Sequence, residues 1–400
     1  MGGQTQNSGG PICQICGAQR LRAVEGFDSL PRITSDCRGY PAGGRLFVCM
    51  ACGGVQKLPD GEWLREIREI YSGYKVYYQS GGEEQIVFDR ASGVPRRRSE
   101  VIIGRLAAAC GFGGKGTALD VGCGNGATIR AMSAALEGWS LSGHELEGAP
   151  LQLPDVPGFA KLYTGPLAAI NTSFDLVTMI HSLEHFPSPM DALAALRPIV
   201  GAGRLFIEVC NIDENPFDIL IADHLIHLSP VSIRILLERA GYTNVSVAAD
   251  WAPKEISALA MAGDALRPGA DSSVITEDGL GETVNRRMSG YTAWLKTMVD
   301  TATGLAGDKA PFGIFGTSIA STWLASQMEG KIEFFVDEDE SRAGREHMGR
   351  PIVLPGGIPD GGNVFVALAP SIAGSIAARL SGLPCRFITP PPLQIGWRRP

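Results

Sequence analysis

No run in this chain reaches the roughly 20 consecutive apolar residues that a bilayer-spanning helix needs. A basic start followed by an apolar stretch is also missing. Residues 1–10 are mostly Gly, Gln and Ser and are expected to form a flexible tail. These absences argue against a membrane span and a secretory leader, and leave the cytoplasm as the expected location. Positive charge is scarce: 35 Lys and Arg stand against 42 Asp and Glu, a net charge of -7. Such a chain repels a phosphate backbone, so extended nucleic-acid binding is not expected. Charged residues make up only 19% against 44% hydrophobic, which excludes a disordered polymer.

What is present suits two or three domains in 400 residues. Nine cysteines in a reducing compartment do not build a disulfide framework. Four of them pair as Cys13-x-x-Cys16 and Cys49-x-x-Cys52, with 32 residues between the pairs. Each pair sets two thiolates on one tight knuckle, with Gly17 and Gly53-Gly54 turning the backbone toward the sulfurs. Four thiolates suit tetrahedral zinc with no open position, so a structural ion is expected to fold residues 11–60 as a ribbon. The remaining cysteines, including Cys37, are read as packing residues.

Residues 61–104 read as a helical and irregular connector, with a basic run at Arg96, Arg97 and Arg98. From residue 101 strands and helices alternate, the signature of a mostly parallel sheet covered by helices. The core is placed at 105–250, with a helix at 230–240 closed by Gly241. Residues 251–306 are expected to be a largely helical connector. A second, smaller α/β unit is expected over 307–400, from the strand-like FGIFG, KIEFFV and NVFV runs.

The most informative stretch is Ala118-Leu-Asp-Val-Gly-Cys-Gly-Asn-Gly126. A strand ends at Asp120-Val121. Gly122, Gly124 and Gly126 then let the backbone approach a ligand closely at a helix N-terminus. Glu145, 19 residues beyond Gly126, ends the next strand, where a carboxylate can accept two ribose hydroxyls. A dinucleotide or a charged nucleoside fits these features. Asp120 separates them: a carboxylate there opposes a pyrophosphate and suits a cationic amino-acid ligand.

The string LDVGCGNG resembles motif I of the class I methyltransferases, which implies S-adenosylmethionine as methyl donor. Phe174-Asp-Leu-Val through Leu183-Glu-His185 resembles the same family's fourth strand. That resemblance puts His181, Glu184 and His185 at the mouth of the site, with His181 beside the donor and His185 facing substrate. The order of ribbon, class I core and C-terminal Rossmann-like domain is similar to the zinc-ribbon deoxysugar C-methyltransferases. The likeness implies an acceptor that is a nucleotide-linked 4-keto sugar, methylated at C3. In that family a Tyr-x-Glu-His run carries the base. The matching run here is Ile221-Ala-Asp223-His224, with Ile221 in place of the tyrosine. The resemblance makes His224 the base, with Asp223 or another carboxylate orienting it, and draws a further tyrosine from Tyr71, Tyr74, Tyr77 or Tyr78. The C-terminal segments at 312–318, 335–339 and 349–353 resemble the family's last domain, whose turn could hold part of a nucleotide. The competing reading is a zinc-ribbon RNA methyltransferase using Arg96–Arg98. No Asn/Asp-Pro-Pro-aromatic motif follows the fourth strand, which disfavours amino-group methylation of bases. A binding protein with a degenerate site is a third reading, opposed by the intact glycine loop.

Overall fold

A computed structural model describes residues 10–74, 84, 86–88, 95–146, 155–263, 279–307, 309–328 and 330–393. Its centre is a seven-stranded sheet. The strands are β1 (Thr117–Val121), β2 (Ser140–Glu145), β3 (Phe159–Thr164), β4 (Leu176–Ile180), β5 (Arg204–Cys210), β6 (Tyr242–Ala248) and β7 (Glu255–Ala262). Their order across the sheet is β3-β2-β1-β4-β5-β7-β6. The first five run parallel, and β7 is antiparallel to both of its neighbours. The chain reverses direction of travel at β1, so a crevice opens beyond the carboxyl ends of β1 and β4, the usual ligand position in such sheets.

Local chemistry sets the helices that flank it. The first, α1 (Gly61–Ser72), starts where the Asp60 carboxylate accepts the N–H groups of Glu62 and Trp63. The second, α2 (Arg98–Cys110), stops at Gly111, whose φ of 61° suits glycine. The third, α3 (Ala127–Ala135), leaves the glycine loop at Gly126. Ser188 caps α4 (Pro189–Val200), and a Ser229–Ser232 capping box opens α5 (Pro230–Arg239). The two faces of the sheet are sealed by separate apolar clusters, one built on Val121, Val177 and Ile207, the other on Ile102, Ile129 and Phe206.

Residues 255–262, expected within a helical connector, are instead strand β7, so the central sheet extends past residue 250. The Ala-rich EISALAMA run has good intrinsic helix propensity, and pairing with β5 and β6 overrides it. The helix that follows, α6 (Leu280–Leu305), is long and buries Tyr291, Trp294 and Met298. A second sheet of six strands spans Phe312 to Ile388, with α7 (Ile319–Ser326) and α8 (Pro370–Arg379) between its strands. Four of its five pairings are parallel, and the edge pair of Glu346–His347 with Arg350–Val353 is antiparallel.

The N-terminal segment is stitched into the rest. Leu21–Ala23, Phe47–Cys49 and Val55–Gln56 form a sheet whose fourth strand is Ile226–His227, the segment that follows His224. Ile33 bridges to Ile221, and Trp323 donates its indole N–H to the Pro31 carbonyl at 2.7 Å. One buried cluster joins Val24, Phe27 and Val48 of the ribbon to Phe217, Ile219 and Leu220, and then to α6 and the last sheet. The loop 211–228 is thereby clamped between ribbon and C-terminal sheet. Among the described residues no helix is long and apolar enough to cross a membrane.

Candidate active site

The glycine loop forms as its spacing predicts. Gly122, Gly124 and Gly126 all have positive φ. A Cβ on Gly122 would lie 2.6 Å from the Ser182 Cβ, so the loop needs glycine for room as well as for conformation. Glu145 latches it: Oε2 accepts the Gly124 N–H at 2.8 Å, and Oε1 accepts the Leu146 N–H at 2.8 Å. Asp120 takes a different place from the one expected. It is 2% exposed, and its Oδ1 accepts the Thr178 hydroxyl at 2.6 Å. Burial pushes its carboxyl up to about 7, with Thr178 pulling the other way. Asp120 therefore braces β1 against β4 from inside, rather than offering an open counter-charge to a cation.

His181 sits just past β4 with φ of 49°, an uncommon conformation for a residue with a side chain. Its Nε2 lies 2.8 Å from an Arg98 guanidinium nitrogen and 3.4 Å from Glu255, and its Nδ1 is 3.4 Å from Glu184. Burial and Arg98 work against its charged form, but Glu255 and Glu184 outweigh them and its pKa is raised. Glu208 is fully buried in this network, and burial with Glu255 nearby lifts its carboxyl to about 8. Arg98 is thus drawn inward, which leaves only Arg96 and Arg97 of the basic run exposed.

Beyond these lies a cluster of imidazoles. His185 and His224 meet edge to face, centroids 4.7 Å apart. Two different carboxylates hold them. Asp223, expected to orient His224, instead faces His185, with Oδ2 3.3 Å from Nδ1. Burial opposes the charged ring of His185, yet Asp223 outweighs it and raises the pKa. Asp218 holds His224, with Oδ1 2.9 Å from Nδ1, and its Oδ2 lies 2.7 Å from the Nδ1 of His227. The correction follows from backbone direction: Asp223 points at the ribbon, where Ser35 donates both its N–H and its hydroxyl. Tyr71 at the end of α1 lies edge-on to His185, centroids 6.3 Å apart. Burial holds its phenol well above the ordinary range, so it stays protonated. Tyr74 is one ring further out and meets the Ser35 hydroxyl at 3.4 Å. Tyr77 and Tyr78 lie outside the described residues.

Sequence reasoning missed Asp218, His227, Lys57 and Ser35. His227 stands three residues after His224, a visible neighbour. Nothing in the spacing ties Lys57 or Ser35 to a loop more than 160 residues away, and only the fold joins them.

The four ribbon cysteines come together. Cys13 and Cys52 sulfurs are 3.8 Å apart, Cys16 and Cys49 sulfurs 3.6 Å, and all four lie within 4.8 Å of one another. A tetrahedron of sulfurs 2.3 Å from zinc has edges of about 3.8 Å, so the donor set fits that ion. N–H groups of Ile15, Cys16 and Gly54 point at the sulfurs at 3.4 Å, as a thiolate site needs.

Comparison with known proteins bears on the central sheet. Residues 95–247 match the family model described as a methyltransferase domain. The mitochondrial ubiquinone biosynthesis O-methyltransferase of Candida albicans is 31% identical over 148 residues, which cover 34% of this chain and 44% of that protein. The ubiquinone biosynthesis O-methyltransferase of Pseudomonas paraeruginosa is 33% identical over 134 residues, covering 30% and 56%. The chain spans about half the length of these curated relatives. Among solved structures, the calicheamicin-biosynthesis methyltransferase CalO1 in its SAH-bound form aligns with TM-score 0.34 and 19% identity, over 41% of this chain and 54% of that one. The glycine loop, the strand order and the matched family model agree: residues 95–247 are a class I S-adenosylmethionine-dependent methyltransferase domain.

Proposed function

We propose that the chain methylates a small molecule, a nucleotide-linked keto sugar, with His224 as general base. The observation that carries this reading is the state of His224. Its Nδ1 is tied to Asp218 at 2.9 Å, and among the described residues Nε2 has no hydrogen-bond partner. A neutral imidazole held this way, edge to face with His185, presents the Nε2 lone pair that a general base needs. Gly122–Gly126 and Glu145 would hold S-adenosylmethionine, which would supply an electrophilic methyl group on a sulfonium.

The chemistry of the chain's own residues then follows. His224 Nε2 removes the proton beside the acceptor's ketone. With the donor held there, the enolate carbon would be the nucleophile for its methyl group, the electron pair of the broken C–S bond leaving with sulfur. His185, held by Asp223, faces the same space and is a donor to the acceptor's carbonyl oxygen. Removal of a hydroxyl proton by the same base would give O-methylation, the outcome in the names of the ubiquinone relatives. The sugar is favoured by the likeness of the Ile221–His224 run and of the three-part chain to the deoxysugar C-methyltransferases. We also infer that Cys13, Cys16, Cys49 and Cys52 hold one structural zinc.

The test is incubation with methyl-labelled S-adenosylmethionine and a panel of nucleotide-linked keto sugars, with phenolic acceptors alongside. Label should pass to a sugar carbon and fall at least 100-fold in His224→Ala. Transfer unchanged by that substitution would remove His224 as base. Transfer to phenols alone would remove the sugar.

A further inference from the structure

Lys57 leaves the ribbon sheet and is 2% exposed. Its Nζ lies 2.6 Å from the Ile221 carbonyl, 2.8 Å from the His224 carbonyl and 3.2 Å from His227 Nε2. These are three acceptors for one ammonium, which has three N–H donors and no lone pair. Burial pulls its pKa down to about 7, while Asp218 and Asp223 support the charge. The three contacts suit the protonated form. A neutral amine would donate to the two carbonyls and accept a His227 Nε2–H on its lone pair, but the Nδ1 of a neutral His227 would then have no proton for Asp218 Oδ2.

Donor counting then runs inward. His227 is neutral at pH 7, since burial and Lys57 push it down to about 4. If Lys57 donates to Nε2, the single proton of His227 sits on Nδ1 and goes to Asp218 Oδ2 at 2.7 Å. Asp218 is ionised: burial opposes this, but His227 and His224 hold its carboxyl well below the usual range. A carboxylate only accepts, so His224 must also present Nδ1–H, to Oδ1 at 2.9 Å. In a neutral His224 ring, Nε2 is then a bare lone pair. The trio Asp218, His224 and His227 has the composition of a metal centre. Its donor atoms are instead spent on these short hydrogen bonds, with the Lys57 ammonium closing the far side.

We propose that Lys57, His227 and Asp218 are positioning residues that fix His224 in the tautomer a general base needs, so that the ribbon sets the protonation pattern of the site. The role of His224 as base rests on the function proposed above; the tautomer does not. The ribbon also fixes the loop sterically. The Trp63 indole donates to the Ala222 carbonyl at 3.1 Å, and the Lys57 N–H to the Leu225 carbonyl at 2.7 Å. Removing the lysine charge while keeping its length therefore isolates the electrostatic part.

The experiment is 15N NMR of the imidazole nitrogens in the full chain purified with its metal. Six histidines are present, and single His→Gln variants assign them. The expected spectrum has His224 and His227 each protonated on Nδ1 and bare on Nε2. Lys57→Met should leave Nδ1–H on His227, held there by Asp218, and let Nε2 take up a second proton, so that His227 becomes an imidazolium. Asp218→Asn should reverse His224, because the amide donates where the carboxylate accepted. In the labelled-methyl assay both variants should lose about 10²–10⁴-fold in kcat. Binding of S-adenosylhomocysteine by calorimetry should stay within about twofold. A proton on His224 Nε2 in the unaltered protein overturns the proposal. So does Lys57→Met with unchanged imidazole signals and turnover. If Lys57→Met does not fold, Asp218→Asn and the unaltered spectrum decide. Full turnover in His224→Gln would remove the base while leaving the tautomer result to stand or fall by itself.

Discussion

Ser35 donates its hydroxyl to Asp223 Oδ2 at 2.5 Å and its backbone N–H to Oδ1 at 2.8 Å, tying the ribbon to a loop 188 residues further along the chain. Asp223 in turn sets His185. Ser35→Ala removes one hydrogen bond to a charged acceptor and should cost about 1.5–3 kcal/mol. Urea unfolding measures it. Turnover should fall through kcat, with donor affinity held, because Ser35 touches the imidazole wall and not the glycine loop.

Metal removal should reach further than the ribbon. Strand Ile226–His227 pairs with Val55–Gln56, a few residues after the Cys49–Cys52 knuckle. The purified chain is expected to carry one zinc per molecule by elemental analysis. Stripping it with a chelator, or Cys49→Ser, should lower the melting temperature and abolish methyl transfer together. A metal-free protein with normal turnover would separate ribbon from site.

Two glycine substitutions have opposite expected signs. Gly122 has φ of 75° and no room for a Cβ beside Ser182. Gly122→Ala should cost roughly 1–3 kcal/mol and weaken S-adenosylhomocysteine binding at least tenfold. Gly104 lies exposed within α2, and a Cβ there meets nothing within 4 Å. Gly104→Ala should stabilise by roughly 0.5–1 kcal/mol without touching affinity. Thermal unfolding and calorimetry on both proteins check the pair.

Carboxylates in the site pull stability in two directions with pH. Asp218 and Asp223 are held below the usual range, against burial, by His227, His185 and His224. Their contribution is present above the unfolded value near 4 and is lost as pH falls below it. Asp120 is raised to about 7 by burial, so the unfolded chain releases its proton first. That costs stability progressively from about pH 4 to 7. Asp120→Asn should therefore match the parent near pH 4 and exceed it by up to about 4 kcal/mol at pH 8. A parallel pair of stability-against-pH curves would contradict this.

How much of this was legible in the residues depends on sequence distance. The glycine loop, Glu145 and the paired cysteines are local patterns in which backbone freedom and ligand spacing leave a direct imprint. His224 was found through likeness to a family run, but its partner was left open between Asp223 and another carboxylate. Asp223 is adjacent in sequence and Asp218 is six residues away, and only the turn through Asp218–Leu220 brings the latter to the ring. Lys57 and Ser35 left no signal, because their roles arise when the ribbon docks. Strands β3 and β6 went unnoticed for another reason. Both are edge strands with partly exposed residues and lack a buried apolar run. The basic run at Arg96–Arg98 suggested a surface patch, yet Arg98 is consumed by His181 and Glu255.

The central claim is that the crevice at Gly122–Gly126, closed by Glu145, receives a charged nucleoside methyl donor. Titration calorimetry of S-adenosylmethionine into the full chain tests it directly, with Glu145→Ala and a nicotinamide dinucleotide as controls. The account requires one site per chain, affinity at least tenfold weaker in Glu145→Ala, and no heat from the dinucleotide. Silence with the methyl donor, or saturable binding of the dinucleotide in the same crevice, would contradict it.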